Sequence, residues 1–395
     1  MARVREGPFV SPKIYLTNFR TATGTFHRIL PKRFHVPVVS EPFGKVAARL
    51  AGTIDRQREY TVIRNDNIFR SGFIDRHIFS SDYQRATELL RHLLDLHQGA
   101  GLGEVFGGQA EEGALGGTWI VRSSEPAPSS APSPRAALER LHQDLRLVRG
   151  IGPALETRLR RRGYGVIGEL CWNRRFGPAA RDVFEVLEEG SPTDIARICI
   201  ERHGPSHPGV FLATELYSEA DHLYLDLETL GLFSRPVVLF GLAWLRAGHV
   251  EVEQHLVTDL AFECGALDAA LREIEDRSLL ISFNGRSFDL PYLVERAAFY
   301  GLPAPRPTHH LDLLPLARRC WRDRLPNCRL GTIESCVLGH VREDDLPSAM
   351  VPEFYAAFQR SGNPGPLLPI LRHNREDLVS MVRIVAALRE VCHAA

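Results

Sequence analysis

Asp226 and Glu228 stand one leucine apart in the stretch HLYLDLET, residues 222–229. In an extended chain residues i and i+2 share a face, so both carboxylates point the same way, about two rises apart, where they can grip one hard cation. A strand end that simply meets solvent explains an isolated Asp-x-Glu equally well. Three further stretches bear on the choice. FNGRSFDLPYL, residues 283–293, follows the apolar run LLIS and sets Asp289 between Phe288 and Leu290 where a helix should begin. An acid between apolar residues costs free energy unless a metal or the positive helix N-terminus compensates; helix capping, with Pro291 just behind, is compatible with either. LRHNREDLVSM, residues 371–381, puts His373 and Asp377 four apart on one helical face, which suits a surface pair as well as a site. Asp312, which ends the short apolar strand in HHLDLL, reads as a cap for the next helix. Asp226, Glu228, Asp289 and Asp377 converging in one place would repel strongly unless divalent cations lay between them, the arrangement of a two-metal phosphoryl-transfer site.

Such convergence requires a sheet and helices in a particular order. HLYLDLE, RPVVLFGLAWLR and HVEVEQHLVT read as strands whose short connections, among them the turn AGH at 247–249, imply antiparallel neighbours. A helix over 261–276, the strand LLISFN, a helix over 288–300 and a short strand at HHLDLL follow. Helical segments near 312–321, 331–338 and 350–360 and a long one over 367–391 complete the block. Three antiparallel strands and then αβαβα is the element order of an α/β, ribonuclease-H-like mixed sheet flanked by helices, here over residues 210–392. It places Asp226 and Glu228 on the central strand, Asp289 on the helix leaving the fourth strand, and Asp377 on a helix able to pack over that edge.

Residues 99–117 are glycine-rich and 122–134, RSSEPAPSSAPSP, are a Ser/Pro/Ala tract, so 99–136 reads as a flexible linker. Before it, YTVIRN and SDYQRATELLRHLLDLH suggest a strand and a helix of a small α+β module within residues 1–98, with no chemistry of its own. After it, residues 137–200 are helical and arginine-rich. LRLVRGIGPALETRLRRRGYGVIGEL, residues 145–170, has the form of a helix-hairpin-helix: one helix ends at Gly150, the turn Gly150-Ile151-Gly152 exposes backbone amides, and Pro153 opens the next. Residues 135–176 hold ten arginines against four acids, 10 − 4 = +6 in a chain whose formal net charge is zero. A Gly-broken hairpin with a solvated basic face is the plain alternative; phosphate binding through Gly150, Gly152, Arg149, Arg158 and Arg161 is the functional one.

The 395 residues, 44% of them hydrophobic, can fill two or three domains. All but three of the 48 basic residues are arginine, which binds phosphate with a planar fork. Seven scattered cysteines without a C-x-x-C pair fit a reduced interior, and the eight-residue spacing of Cys320, Cys328 and Cys336 suits buried thiols better than zinc. No apolar run reaches the roughly 20 residues that span a bilayer and the N-terminus lacks a signal-peptide core, so a cytoplasmic protein without a membrane partner is expected.

LDLET, FNGRSFDLPYL and HNRED resemble, in order, the three exonuclease motifs of the DEDD superfamily of 3'-5' exonucleases, the second being most similar to the proofreading domains of family B DNA polymerases. With HLDLLPLARRCWRDRLPNCRLGTIE and REDDLPSAMVPEFYAAF, residues 220–392 resemble the bacterial YprB-type ribonuclease-H-like proteins. The resemblance implies that Asp226, Glu228, Asp289 and Asp377 hold two Mg²⁺ or Mn²⁺ ions and that His373 is the general base. The histidine class usually sets its base five residues before the last aspartate and the tyrosine class four. Here a histidine occupies the tyrosine spacing, so orienting water is as open to it as deprotonating it. Asn284, Phe288 and Tyr292 would hold the terminal nucleotide, unless the two rings are core. The expectation is a metal-dependent 3'-5' exonuclease on nucleic acid, DNA before RNA. Its alternatives are an idle nucleic-acid-binding module and a structure-selective endonuclease on the same fold.

Overall fold

The computed structural model describes residues 80–231, 234–342 and 345–394. Helices α1 (Ser80–Leu96) and α2 (Leu102–Phe106) precede a hairpin of β1 (Gln109–Gly113) and β2 (Gly116–Pro126). Six helices follow: α3 (Pro134–Gln143), α4 (Pro153–Arg161), α5 (Ile167–Leu170), α6 (Gly177–Glu189), α7 (Pro192–His203) and α8 (Pro208–Thr214). The strand-rich part is β3 (His222–Thr229), β4 (Val237–Arg246), β5 (His249–Leu256), α9 (Glu263–Asp276), β6 (Leu279–Ser282), α10 (Asp289–Tyr300) and β7 (His309–Asp312). Helices α11 (Leu313–Trp321), α12 (Leu330–Ile333), α13 (Val351–Ser361) and α14 (Leu367–Ala394) end the chain.

The strands form one seven-stranded sheet in the order β1-β2-β5-β4-β3-β6-β7. β3 pairs parallel with β6 and β6 with β7; the other neighbours are antiparallel. This is the mixed α/β sheet that the element order predicts. Alternation along β3 decides which layer each side chain enters. Leu223, Leu225 and Leu227 pack with Ala266, Leu267 and Ala270 of α9 and Leu293 of α10. Tyr224 faces the opposite layer with Leu378, Val382 and Val385 of α14. Each buried leucine contributes about 1.5–3 kcal/mol, so a one-residue slip of β3 would be strongly disfavoured. The same alternation aims Asp226 and Glu228 at α14.

The glycine-rich stretch is not a linker. Thr118, Trp119, Ile120 and Val121 alternate well enough to add β2 to the free edge of β5, in register Trp119↔Leu256 through Pro126↔His249. The surrounding glycines serve the hairpin, with Gly116 at φ +124°. The Ser/Pro tract behind it is tied down, since Arg389 of α14 donates to Ser130 and the Ser133 N–H donates to Glu215. Composition suggested entropy here, but pairing with an open sheet edge and burial of Thr118 and Ile120 outweigh it. Residues 80–96 do form the expected helix, but not in a separate module: Ala86 and Leu93 pack with Leu346, Met350, Val351 and Phe354. The expected strand YTVIRN lies outside the described residues.

The helical segment departs from the expectation in two ways. Its first helix stops at Gln143, well before Gly150, and a single tight turn over Leu145–Leu147 bridges the gap. Nor is it a domain apart, because Leu141, Leu145, Ile167, Ile195 and Phe211 share one core with the inner face of the sheet and α14.

Candidate active site

The chain leaves β3 with Asp226 and Glu228 on the face covered by α14. β6 delivers the chain to α10, whose first residue is Asp289. His373 and Asp377 lie one turn apart on α14. All five side chains line one cleft of about 430 Å³, together with Asn284, Phe283, Phe288 and Ser348. His373 stands between two of the acids, its Nε2 3.9 Å from Glu228 Oε1 and 3.9 Å from Asp377 Oδ2. Its Nδ1 lies 2.7 Å from Asp345 Oδ1.

The electrostatics follow from burial of like charges. Burial, then the charges of Asp377, Glu228 and Asp289, hold the Asp226 carboxyl well above the usual range. Burial pushes Glu228 up to about 7 although His373 opposes it. Burial also takes Asp289 to about 7, against backbone N–H groups that favour its anion. For His373 burial works against the cation, but Asp377, the Asp345 hydrogen bond and Glu228 outweigh it and raise the imidazole to about 10. These three acids therefore bind a proton more tightly than in water, as expected where carboxylates share a site.

Several partners are invisible in the spacing of the acids. Asn374 donates from Nδ2 to Asp226 Oδ2 at 2.7 Å and to the Asp226 carbonyl at 3.1 Å. Its own Oδ1 accepts from Gln254 Nε2 at 2.8 Å. The register explains how this fits, because Asp226 lies opposite Gly241 of β4, and Gly241 opposite Gln254 of β5. A Cβ on Gly241 would fall 2.1 Å from Asn374 Oδ1, so only glycine lets the carboxamide cross that strand to reach Asp226. A glycine inside VVLFGLAWLR is the sequence signal, since an interior strand glycine often marks a close approach. Arg342 forms ion pairs with Glu334 and Asp377, its side chain only 6% exposed. Nothing in its local pattern points to the site. Asp312 is the cap that the sequence predicts, accepting from Leu314 N–H, and it also accepts the N–H groups of Asn284 and Arg286. That clamp holds Asn284 in the left-handed region at φ +67°, with its side chain in the cleft.

Of the expected nucleotide contacts, Asn284 and Phe288 line the cleft and Tyr292 does not. Tyr292 is 3% exposed, and its hydroxyl donates to the Gly231 carbonyl, so the ring is core. The turn residues Arg149, Gly150, Gly152, Arg158 and Arg161 are all exposed, with Gly150 at φ +89°. A second hollow of about 520 Å³ shares Asp226, Phe283, Asn284 and Asp377 with the cleft and is lined further on by Arg318, Asn327 and Arg329.

Whether these groups suit a cation can be read from the donors. All four acids offer oxygen, the preference of Mg²⁺ and Mn²⁺, and the buried Glu228 Oε1 has no hydrogen-bond partner. Their oxygens do not close into a tight shell. Among the described residues the one trio of His, Cys, Asp or Glu donor atoms mutually within 4.8 Å is Asp144, His203 and His207. Like charges repel, and Arg342 draws on Asp377 from outside the cleft. The donor set of the cleft fits a hard dication.

Residues 223–389 match the RNase_H_2 family of the RNase H superfamily. They form a ribonuclease H-like domain. The chain is similar to "Uncharacterized protein YprB" of Bacillus subtilis (strain 168), at 31% identity over 178 residues, 44% of this chain and 43% of that protein. The chain thus spans less than half the length of this curated relative. Among solved structures it is similar to the family B DNA polymerase of Pyrobaculum calidifontis, with 17% identity and a TM-score of 0.33 over 44% of this chain and 27% of that one. No helix among the described residues is long and apolar enough to cross a membrane.

Proposed function

We propose that the ribonuclease H-like domain is a divalent-metal-dependent 3'-5' exonuclease that hydrolyses phosphodiester bonds, DNA before RNA. The observation that carries this reading is the cleft itself, in which Asp226, Glu228, Asp289, His373 and Asp377 meet from three distant stretches with the proton affinities of the first three raised. Two buried acids, Glu228 and Asp289, held beside two half-buried ones, Asp226 and Asp377, cost stability and suit a cation site better than a structural role.

Bound between Asp226, Glu228, Asp289 and Asp377, two Mg²⁺ or Mn²⁺ ions would supply Lewis-acid polarisation of the scissile phosphate, a more acidic attacking water, and the positive charge that lets His373 release its proton. Asn374 holds Asp226 in one rotamer, with Gln254 fixing the carboxamide from behind. Asp345 binds His373 Nδ1 and leaves Nε2 facing Glu228 and Asp377, where it can take a proton from water. Asn284 and Phe288 offer a hydrogen bond and a ring face to the terminal nucleotide. The hollow bearing Arg318 and Arg329 continues the cleft and suits the phosphates of the preceding strand. Exposed Arg149, Arg158 and Arg161 beside the Gly150-Ile151-Gly152 turn supply a second grip on the backbone.

Degradation of 5'-labelled single-stranded DNA and RNA with Mg²⁺, Mn²⁺ or EDTA tests this. A metal-dependent ladder shortening from the 3' end, abolished in Asp226→Ala, is expected. Internal cuts would make the protein an endonuclease; intact oligonucleotides with binding retained would make the cleft idle.

A further inference from the structure

The helical segment contains a cluster that the nuclease reading does not use. Asp144 follows α3, His203 is the last residue of α7, and His207 is the N-cap of α8. One donor atom from each lies within 4.8 Å of the other two. His203 Nε2 is 2.8 Å from Asp144 Oδ2, and the His203 side chain is only 3% exposed. Its other nitrogen, Nδ1, is buried without any hydrogen-bond partner. The two imidazoles stack at 3.9 Å between centroids. Burying a polar ring atom unpaired costs free energy that a hydrophobic junction would avoid.

A thiol and a glycine pack beside the cluster. Cys199 lies one turn before His203 on α7, and it is fully buried. A Cβ placed on Gly209 would sit 3.0 Å from Cys199 Sγ, 3.2 Å from His207 Nδ1 and 3.5 Å from Leu141 Cδ2, so glycine lets the chain pack closely against the cluster.

We propose that Asp144, His203 and His207 form a second metal site, for a borderline transition dication of the zinc type, which locks α3, α7 and α8 together. Two imidazoles and one carboxylate, with a thiol alongside, are the donors such ions prefer, whereas the all-oxygen cleft prefers Mg²⁺ or Mn²⁺. Its role is structural, because these helices carry the Gly150-Ile151-Gly152 turn on the common core.

The test uses the full chain with Asp226→Asn and Asp377→Asn, so that the acid cleft does not contribute. After loading with Zn²⁺ or Co²⁺ and desalting, metal content is measured by mass spectrometry and the Co²⁺ form by its visible d–d absorption. About one retained equivalent is expected, with affinity reduced at least tenfold in His207→Asn and in Asp144→Asn. Both variants keep the local fold: His207→Asn retains an acceptor for the Gly209 N–H, and Asp144→Asn retains one for the Arg146 N–H. A thermal shift of the parent chain on adding Zn²⁺ is the independent readout. Retention below a tenth of an equivalent, retention in both variants equal to that of the parent, or no thermal shift would overturn the site.

Discussion

The acid cleft and the arginine-rich turn arrange their charge in opposite ways. In the cleft the acids are buried or half-buried and of like sign, and neighbours hold the site: Asn374 on Asp226, Arg342 on Asp377, Asp345 on His373. At the turn Arg149, Arg158 and Arg161 stand exposed. Concentrated buried charge costs stability and can do chemistry; dispersed exposed charge costs almost nothing and can only hold. The molecule places each where the shared core permits, one at the end of β3 and the other on short helices at the surface.

The contrast is sharpest where one atom decides activity. Asp226→Asn should lower the metal-dependent nuclease rate by at least about 10³-fold, roughly 4 kcal/mol, with binding of substrate retained; a smaller loss in single-turnover kinetics would mean that the cleft does not carry the reaction. Asn374→Ala leaves every acid in place and removes only what orients Asp226, so a loss of roughly 10–100-fold is expected. If kcat falls while the Mg²⁺ dependence is unchanged, Asn374 acts on something other than the metal-binding acid.

On the other side of the comparison, Arg158→Ala and Arg161→Ala should weaken binding of all sequences alike, and each should reduce the salt slope of log Kobs by about 1. Unaltered slopes would remove the turn from the nucleic-acid interface. The smallest effect concerns stability. Glu228 and Asp289 have folded pKa values of about 7, above the roughly 4 of an unfolded chain. The folded state therefore holds more protons between about pH 4 and 7, and their contribution, complete below about pH 4, is lost as pH rises through about 7. In EDTA the melting temperature should fall over that window. Glu228→Gln should raise it at about pH 8, by about 2–4 °C for each kcal/mol relieved, and change it little at about pH 4. A variant that is less stable at the higher pH would show that Glu228 serves the fold and not the metal.

Much of this was legible in the chain. Alternation in HLYLDLET put Asp226 and Glu228 on one face, and the i, i+4 spacing put His373 and Asp377 on another, because those periods are local properties of strand and helix. Asp312 as a cap and the element order from β3 to α14 were readable for the same reason. Tyr292 was not, because FDLPYL has the same pattern whether its second ring faces a nucleotide or the Gly231 carbonyl. The hairpin of β1 and β2 hid in a glycine-rich stretch, since its stabilising partner, the edge of β5, lies more than a hundred residues away.

The sequence alone determined the identity of the acids, their faces and the sign of the charge around Gly150, all consequences of short-range geometry and composition. Only the tertiary structure decided that Asn374 passes over Gly241 to Asp226, that Arg342 reaches Asp377, and that Asp144 meets His203 and His207. Those contacts join residues from separate elements, and strand register and helix docking, which depend on the whole core at once, bring them within reach.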